Sequence, residues 1–125
     1  MGRGVNEGKR NRQAGAIIAA AGASQRMLGV DKVLAPLAGK PLLAWTVEAF
    51  QLCNAIQHIV IVVNKQNLHR VEEMAAEQHW GKITDVCLGG VRRQDSVAKG
   101  LEKLSGCDWV VIHDGARPCV TPQLI

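Results

Sequence analysis

Four short apolar runs divide the chain, and the stretches between them carry apolar residues at helical spacing. The runs are Ala16–Ile18, His58–Val63, Ile83–Leu88 and Trp109–Ile112. The second run is continuous and rich in β-branched residues, which is typical of a strand buried on both faces of a parallel sheet. The pattern therefore predicts four strands that are connected by amphipathic helices.

Three connecting helices follow from the spacing of the apolar residues. We expect them to run from about Pro41 to Asn54, from about Gln66 to His79 and from about Arg93 to Leu104. Pro41 suits a first helical turn, and Asn64 is placed to cap the second helix. The predicted inner faces comprise, in chain order, Leu43, Val47 and Phe50, then Leu68, Val71 and Ala75, then Val97, Leu101 and Leu104.

The elements alternate between strand and helix, and a further helix is expected to begin at Thr121-Pro122. This alternation predicts an α/β fold, in which a doubly wound, mainly parallel sheet has helices on both faces. Residues 14–125 form this domain, and its crossovers are expected to be right-handed. If the first strand lies beside the fourth, the loops that follow them border one crevice, with Gly22 and Asp114 on either side.

Residues 1–13 precede the first strand and differ from the rest in composition. They hold four basic residues and a single acidic one, whereas the whole chain has a net charge of +4. This basic tail contains Gly and Asn and is expected to be disordered and solvated; an arm that contacts nucleic acid is the alternative. The tail has no apolar segment of the kind that a secretory signal requires.

The composition excludes several classes of protein. Aromatic residues make up 3% of the chain, which argues against single-stranded nucleic-acid binding because that function needs stacking platforms. No apolar run reaches the roughly 18 residues of a membrane helix. The cysteines are widely spaced and include no Cys-x-x-Cys pair, which favours thiols in a reducing cytosol over a metal site. We therefore expect a cytoplasmic protein that binds neither nucleic acid nor membrane.

The loop after the first strand, Ala19–Lys32, has the composition of an anion-binding turn. Its small residues let a ligand approach the backbone, and Arg26 and Lys32 supply positive charge where phosphates would lie. It is not a Walker A loop, since no Gly-Lys-Ser/Thr sequence ends it, and Ser24 and Met27 stand where a dinucleotide fingerprint requires glycine. The loop therefore predicts a nucleotide-phosphate site of another kind.

Two further loops that follow strands carry candidate site residues. Gly89-Gly90 exposes backbone at the end of the third strand, and Ser96 either caps the next helix or touches a ligand. Asp114, at the end of the fourth strand, either anchors a cation or sugar hydroxyl or forms a local Asx turn. Arg117 either contacts phosphate or pairs with Asp114. We interpret His113 as a structural histidine in preference to a catalytic one.

Three sequence blocks together resemble a known family. They are Ala20-Ala21-Gly22-x-x-x-Arg26-Met27 with Lys32, Gly89-Gly90-x-x-Arg93-x-x-Ser96-Val97 with Gly100-Leu101, and Val111-x-His113-Asp114-Gly115-Ala116-Arg117-Pro118. In order and spacing they resemble 2-C-methyl-D-erythritol 4-phosphate cytidylyltransferase, from about Ala14 to the last residue. The resemblance implies a Rossmann-like nucleotidyltransferase fold, of which this chain is the amino-terminal part and is therefore truncated.

The resemblance also implies a reaction. Members of this family transfer a cytidylyl group from CTP to 2-C-methyl-D-erythritol 4-phosphate and release pyrophosphate, in non-mevalonate isoprenoid biosynthesis. The implied cofactor is Mg²⁺, and the full-length protein is expected to be a homodimer. Because the second half of such enzymes supplies further substrate-binding residues and the dimer arm, we expect the 125-residue chain alone to be inactive.

By position, the resemblance gives each candidate residue a role. Arg26 and Lys32 are the expected catalytic pair, which grips the triphosphate and stabilises charge at the α-phosphorus. The expected nucleotide-binding residues are Ala20, Ala21, Gly22, Gly90, Ser96 and Ala116. Asp114 and Arg117 are expected to contact substrate or metal, with Asp114 as the metal ligand. The positions that depart from the family's usual pattern are Ser24, Asp31, Val91 and Gly115.

Other functions remain open at this point. One alternative is another nucleotidyltransferase of the same fold, such as a polyol-phosphate cytidylyltransferase or a molybdopterin guanylyltransferase. A second alternative is an inactive fragment that binds nucleotide. A dinucleotide-binding dehydrogenase domain is disfavoured, because Asn64 and not an acidic residue ends the second strand.

Overall fold

The computed structural model describes residues 13–21, 26–27, 30–90 and 92–115, and for residues 26–27 and 30–32 the description covers the backbone. Several predictions concern residues outside these ranges. They are the basic tail up to residue 12, the positions Gly22, Ser24, Val91, Ala116, Arg117 and Cys119, and the helix expected to begin at Thr121-Pro122.

The described elements follow the predicted alternation of strands and helices. The strands are β1 (Ala14–Ala20), β2 (Arg26–Met27), β3 (Val30–Asp31), β4 (Pro36–Leu37), β5 (Lys40–Pro41), β6 (His58–Val63), β7 (Ile83–Leu88) and β8 (Trp109–Asp114). The helices are α1 (Leu42–Gln51), α2 (Lys65–Glu77) and α3 (Arg93–Lys103), and a short 3-10 helix spans Lys32–Leu34.

The four long strands form one parallel sheet in the order β7-β6-β1-β8. Ile18 of β1 lies opposite Ile61 of β6 on one side and His113 of β8 on the other. The chain therefore runs outward from β1 to β7 and then crosses back to β8. The strand order reverses between β1 and β8, which is where open α/β sheets bind their ligands.

The sheet is covered on both faces, as the alternation of its side chains requires. Ala16 and Ile18 of β1 belong to a core cluster that includes residues of α1 and α2. Ile17 belongs to a second cluster, which includes Leu104 and contacts Val97 of α3. Two crossovers step outward with their helices on one face, and the third steps back with its helix on the opposite face. All three crossovers therefore have the same hand, and the fold is doubly wound, as predicted.

Helix α1 buries the apolar face that its sequence predicts. Leu43, Val47 and Phe50 are all at most 1% exposed. The helix ends at Gln51, earlier than expected, because the chain turns to bury Cys53 and Ile56 beneath it. Hydrogen bonds from the Cys53 N–H to the Phe50 carbonyl, and from the Ile56 N–H to the Cys53 carbonyl, stabilise this turn.

Of the three residues predicted to face inward from the third helix, Val97 and Leu104 pack in the core and Leu101 does not. Leu101 was expected to point inward, but it is 45% exposed. The buried line runs instead through Ser96, Gly100 and Leu104. Gly100 lies so close to Ile17 that a Cβ built on it would lie 2.9 Å from three Ile17 side-chain atoms. The missing side chain at Gly100 lets the helix approach the sheet along this line.

Two smaller predictions concern α2. Val71 is fully buried as expected, but Asn67 and Met74 are more buried than the predicted Leu68 and Ala75, which are half-buried. Asn64 occupies the N-cap position, yet its side chain makes no capping hydrogen bond. The Asn64 carbonyl accepts the N–H of Asn67 instead, so the expectation of a side-chain cap is wrong.

Three cysteines lie in the described ranges, and Cys53, Cys87 and Cys107 are all free thiols. Within the same ranges, no helix combines the length and apolar character needed to cross a membrane.

Candidate nucleotide-binding site

The carboxyl ends of β1 and β8 lie side by side, as the sequence predicts for two loops that border one crevice. The N–H of Gly115 donates a hydrogen bond of 2.9 Å to the carbonyl of Ala19. A Cβ built on Gly115 would lie 3.1 Å from the Cβ of Ala20 and 3.2 Å from Leu43. The backbone after β8 is therefore held directly against the end of β1.

The two predicted catalytic cations belong to one compact segment of backbone. Strands β2 and β3 pair in antiparallel fashion, and Arg26 lies opposite Asp31, the residue before Lys32. Val33, the residue after Lys32, is fully buried in the same cluster as Ala20. The core thus anchors the backbone at Lys32, and the strand pairing brings Arg26 next to it.

Gly89 joins the loop after β7 to the end of β1. Its N–H donates to the carbonyl of Val63 at the end of β6, over 3.0 Å. A Cβ on Gly89 would lie 2.4 Å from Ser96 Oγ and 2.7 Å from the Cβ of Ala21. A side chain at this position would overlap both neighbours, so glycine is required for the close approach. Ala21 and Ser96 are therefore brought together across this glycine.

Ser96 is buried inside α3 and does not cap it. The residue is 3% exposed, and its hydroxyl has no hydrogen-bond partner among the described residues. Arg92 occupies the N-cap position, so Ser96 is the fourth residue of the helix. The capping interpretation is wrong. Buried polar groups without a partner are uncommon in native proteins, so this hydroxyl demands an explanation.

The first turn of α3 is held by Asp95, a residue that our sequence analysis missed. Its carboxylate accepts the Arg92 backbone N–H over 3.2 Å and the Arg92 Nε over 3.3 Å. These bonds lower the pKa of Asp95, and the bond from the Arg92 side chain has a larger effect than the bond from the Arg92 backbone. An acidic residue three positions after the N-cap residue can serve as a capping signal, and Asp95 stands at this distance from Arg92.

A depression of about 200 Å³ lies at the end of β8 and is lined by Arg93, Ile112, His113 and Asp114. The ring of His113 packs against that of Phe50, with centroids 5.4 Å apart and an interplanar angle of 62°. This contact supports the structural interpretation of His113. Asp114 lies opposite Ala19 in the sheet register, and its side chain therefore belongs to the face that α3 covers.

Thr46 is a second residue that our sequence analysis missed. It lies within α1, is fully buried, and its hydroxyl donates over 3.4 Å to the carbonyl of Gly115. The contact joins α1 to the backbone immediately after Asp114. No local pattern in the sequence signals it, because the two residues are 69 positions apart.

The thiols near the sheet are unsuited to nucleophilic chemistry. Burial, and after it the charge of Asp85, raises the pKa of Cys87. Burial likewise raises the pKa of Cys107. Both groups are therefore protonated at neutral pH, whereas a thiolate is the nucleophilic form.

Comparison with known proteins agrees with this arrangement. The sequence profile of IspD, 2-C-methyl-D-erythritol 4-phosphate cytidylyltransferase, matches residues 14–125. The chain belongs to this family. The matched range includes β1, β8 and the residues between them.

Curated relatives carry the same name. A 2-C-methyl-D-erythritol 4-phosphate cytidylyltransferase of Dehalococcoides mccartyi is 48% identical over 115 residues, which are 92% of this chain and 51% of the relative. Another, from Halalkalibacterium halodurans, is 41% identical over 110 residues, covering 87% of this chain and 48% of the relative. The chain thus spans about half the length of the curated relatives it matches.

Solved structures support the fold. A 4-diphosphocytidyl-2C-methyl-D-erythritol synthase from Anaerococcus prevotii has a TM-score of 0.77 at 28% identity, over 92% of this chain and 48% of the other. A CMP:2-keto-3-deoxy-manno-octonic acid synthetase complexed with CTP has a TM-score of 0.65 at 22% identity, over 89% of this chain and 43% of the other. The second likeness concerns the fold alone.

Proposed function

We propose that the full-length protein transfers a cytidylyl group from CTP to 2-C-methyl-D-erythritol 4-phosphate and releases pyrophosphate. The observation that carries this proposal is the buried, unpartnered hydroxyl of Ser96, which lies against Gly89 beside Ala21 at the carboxyl edge of the sheet. In a chain of this family, a polar atom held in that position is suited to read a nucleotide base. Membership of the family supports the choice of reaction.

The cytosine and ribose are proposed to lie across the end of β1 and the loop after β7. Backbone groups of Ala20, Ala21 and Gly22 cradle the nucleotide, Gly90 and Ser96 read the base, and Ala116 completes the pocket. A hydrogen-bonding pocket of this kind discriminates strongly between bases, because the wrong base leaves buried polar groups without partners.

The triphosphate is proposed to lie on the segment that carries Arg26 and Lys32. The antiparallel pairing of this segment and the burial of Val33 support a fixed distance between the backbone at Arg26 and the backbone at Lys32. Positive charges held in place before the reaction stabilise the negative charge that grows on the phosphoryl oxygens, without reorganising during the reaction. Arg26 and Lys32 are therefore the proposed catalytic residues.

Asp114 is proposed to hold Mg²⁺, and Arg117 to contact substrate. The described residues contain no cluster of three or more metal-ligating side chains. That fits this ion, because Mg²⁺ is commonly held by one or two carboxylates together with substrate phosphates and water. When bound, the ion neutralises charge on the phosphates of CTP.

We further propose that the full-length protein is a cytoplasmic homodimer and that the 125-residue chain alone does not turn over substrate.

The reaction is proposed to be a single in-line displacement. A phosphate oxygen of methylerythritol phosphate forms a bond to the α-phosphorus of CTP, and the bond from that phosphorus to the bridging oxygen of pyrophosphate breaks. The residues of this chain contribute by positioning both reactants and by stabilising charge. The protonated thiols near the sheet are consistent with a mechanism that has no covalent enzyme intermediate.

A substrate panel tests this proposal. A full-length enzyme that contains this sequence would be incubated with CTP, UTP or GTP and with several phosphate acceptors, and pyrophosphate release would be followed. We expect release with CTP and methylerythritol phosphate. Release only with GTP, or only with a different polyol phosphate, would instead identify one of the alternative nucleotidyltransferases.

Substitution of Lys32 tests the proposed catalytic pair. In the full-length context, Lys32→Ala should lower turnover about a hundredfold or more, since the loss of one preorganised charge-stabilising group costs about 3–4 kcal/mol in comparable sites. The matched control is Lys65→Ala, an exposed lysine at the start of α2 and the same edge of the sheet. Turnover of Lys32→Ala at the level of this control would remove Lys32 from the mechanism.

A further inference from the structure

We infer that Asp95 is a positioning residue for base recognition: its side chain holds the Gly89-Gly90 backbone and the first turn of α3 in the arrangement that reads the nucleotide base. The inference rests on the proposed function, because Gly90 and Ser96 are there assigned to the base. Asp95 itself would contact no substrate atom.

Hydrogen bonds fix the carboxylate of Asp95 at the start of α3. It accepts the backbone N–H of Arg92 over 3.2 Å, and two nitrogens of the Arg92 guanidinium over 3.3 and 3.4 Å. The Arg92 carbonyl in turn accepts the N–H groups of Asp95 and Ser96, over 3.0 and 3.1 Å. Ser96 is thereby tied to the same residue as Asp95.

Packing places the same side chain against Gly90, the second residue of the glycine pair. A Cβ built on Gly90 would lie 2.2 Å from the Cβ of Asp95 and 3.2 Å from its Cγ. Asp95 thus fills the space that a side chain at Gly90 would need. The Gly89 N–H is bonded to the Val63 carbonyl of β6, so the glycine pair is held at one end by the sheet and at the other by Asp95.

These contacts separate Asp95 from the proposed phosphate site. The segment of Arg26 and Lys32 is held by the β2–β3 pairing and by the burial of Val33, and Asp95 takes part in neither. Loss of the Asp95 carboxylate should therefore loosen the region that reads the base and leave the region that binds phosphates intact. A residue with a general structural role would affect both.

The test uses titration calorimetry on a full-length enzyme that contains this sequence and compares the binding of two ligands: CTP with Mg²⁺, and inorganic tripolyphosphate with Mg²⁺. The variants are Asp95→Ala, Asp95→Asn and the control Glu102→Ala, which removes an exposed carboxylate from the far end of the same helix. We expect Asp95→Ala to weaken CTP binding about tenfold and to leave tripolyphosphate binding unchanged. Asp95→Asn should retain most of the CTP affinity, because its amide oxygen still accepts the Arg92 N–H.

Two outcomes of the calorimetry would overturn the inference: equal weakening of the binding of both ligands in Asp95→Ala, or CTP affinity in that variant equal to that of Glu102→Ala.

A second measurement needs no nucleotide. Amide resonances of Gly89 and Gly90 should shift between the wild-type chain and Asp95→Asn or Asp95→Ala, with the larger shift in Asp95→Ala, while that of Gly81 stays in place. Unshifted glycine resonances would also overturn the inference. A wild-type chain that binds tripolyphosphate but not CTP would count against the proposed function, and the resonance comparison would still decide the role of Asp95.

Discussion

Ser96 carries a buried polar group that we propose serves nucleotide binding at the expense of stability. Its hydroxyl is buried without a partner in the described part of the chain, and such a group carries a desolvation cost of about 1–3 kcal/mol. We therefore predict that Ser96→Ala leaves the free energy of unfolding unchanged or raises it by about 1 kcal/mol. The same substitution should weaken CTP binding about tenfold, because the ligand loses its hydrogen-bond partner. Urea denaturation and calorimetry measure the two effects.

The control for this prediction is Ser105→Ala, which removes an exposed hydroxyl from the turn after α3. It should change neither quantity. A loss of more than about 1 kcal/mol in Ser96→Ala would mean that the hydroxyl has a partner within the protein, and would contradict its assignment to a ligand.

Asp95 makes the stability of the chain depend on pH in the acid range. Its hydrogen bonds with Arg92 hold the pKa of the carboxyl below its ordinary value of 3.8. The unfolded chain therefore binds this proton at a higher pH than the folded chain does. The stabilisation is fully present above the ordinary pKa and is lost as the pH falls through the lowered one.

The corresponding prediction concerns Asp95→Asn. This variant cannot titrate at position 95, so its free energy of unfolding should fall less steeply than that of the wild-type chain as the pH drops below about 4. Urea denaturation at a series of pH values measures both slopes. The slope for Arg92→Ala should lie between those of the wild-type chain and Asp95→Asn, because this variant removes the side-chain hydrogen bond that lowers the pKa most and keeps the backbone hydrogen bond. Equal slopes in wild type and Asp95→Asn would contradict the argument.

Among the elements, α3 depends most directly on one small residue. Gly100 faces the fully buried Ile17, and a Cβ added there would lie 2.9 Å from three atoms of that side chain. Ile17 is β-branched and enclosed by the sheet and helix, so it cannot move aside easily. Overpacking of this kind costs about 1–3 kcal/mol, against a gain of about 1 kcal/mol in helix propensity.

We therefore predict that Gly100→Ala lowers the free energy of unfolding by up to about 2 kcal/mol, although alanine favours helices. Chemical denaturation measures the change. The control is Gly106→Ala, at a position where an added Cβ would meet no atom within 4 Å. If Gly100→Ala were instead more stable than wild type by its propensity gain, α3 would lie farther from β1 than described.

The same helix shows what sequence patterns reveal and what they conceal. Four strands and three helices were predicted because their apolar residues repeat at the periods of buried strands and amphipathic helices. Leu101 was wrongly assigned to the inward face of α3 because it is apolar, whereas Gly100, which does face the sheet, carries no hydrophobic signal. The hairpin of β4 and β5, whose turn holds Ala38 and Gly39 at positive φ, was not among the predicted elements.

The candidate site divides along similar lines. Its candidate residues were named from the order of three sequence blocks, and a parallel sheet brings those that are described to one edge. The state of each side chain could not be predicted. Ser96 cannot be recognised from the sequence as a buried residue, because its burial results from packing against Gly89. The contact of Thr46 with Gly115 joins residues that are 69 positions apart. Such features arise from tertiary packing and leave no local pattern.

The molecule as a whole has an asymmetric sheet. Central strands β1 and β6 are buried, whereas β8 lies at one edge of the described sheet and exposes apolar side chains on both of its faces. Trp109 is 55% exposed, Val111 39% and Ile112 42%. Leu101 of α3 adds a further exposed apolar side chain, at 45%. Apolar edge strands pair readily with other chains unless charged residues or a covering element prevent it.

We therefore predict that the 125-residue chain, expressed by itself, self-associates through β8 as its concentration rises and unfolds over a broad range. Sedimentation velocity at increasing concentrations, with thermal melting, measures both properties. Ile112→Lys should shift the population toward monomer, because a charged side chain on an edge strand opposes pairing. The matched control is Gln78→Lys, which adds the same charge at an exposed position after α2. A clean monomer at every concentration, with a sharp cooperative melt, would show that the apolar edge does not drive association.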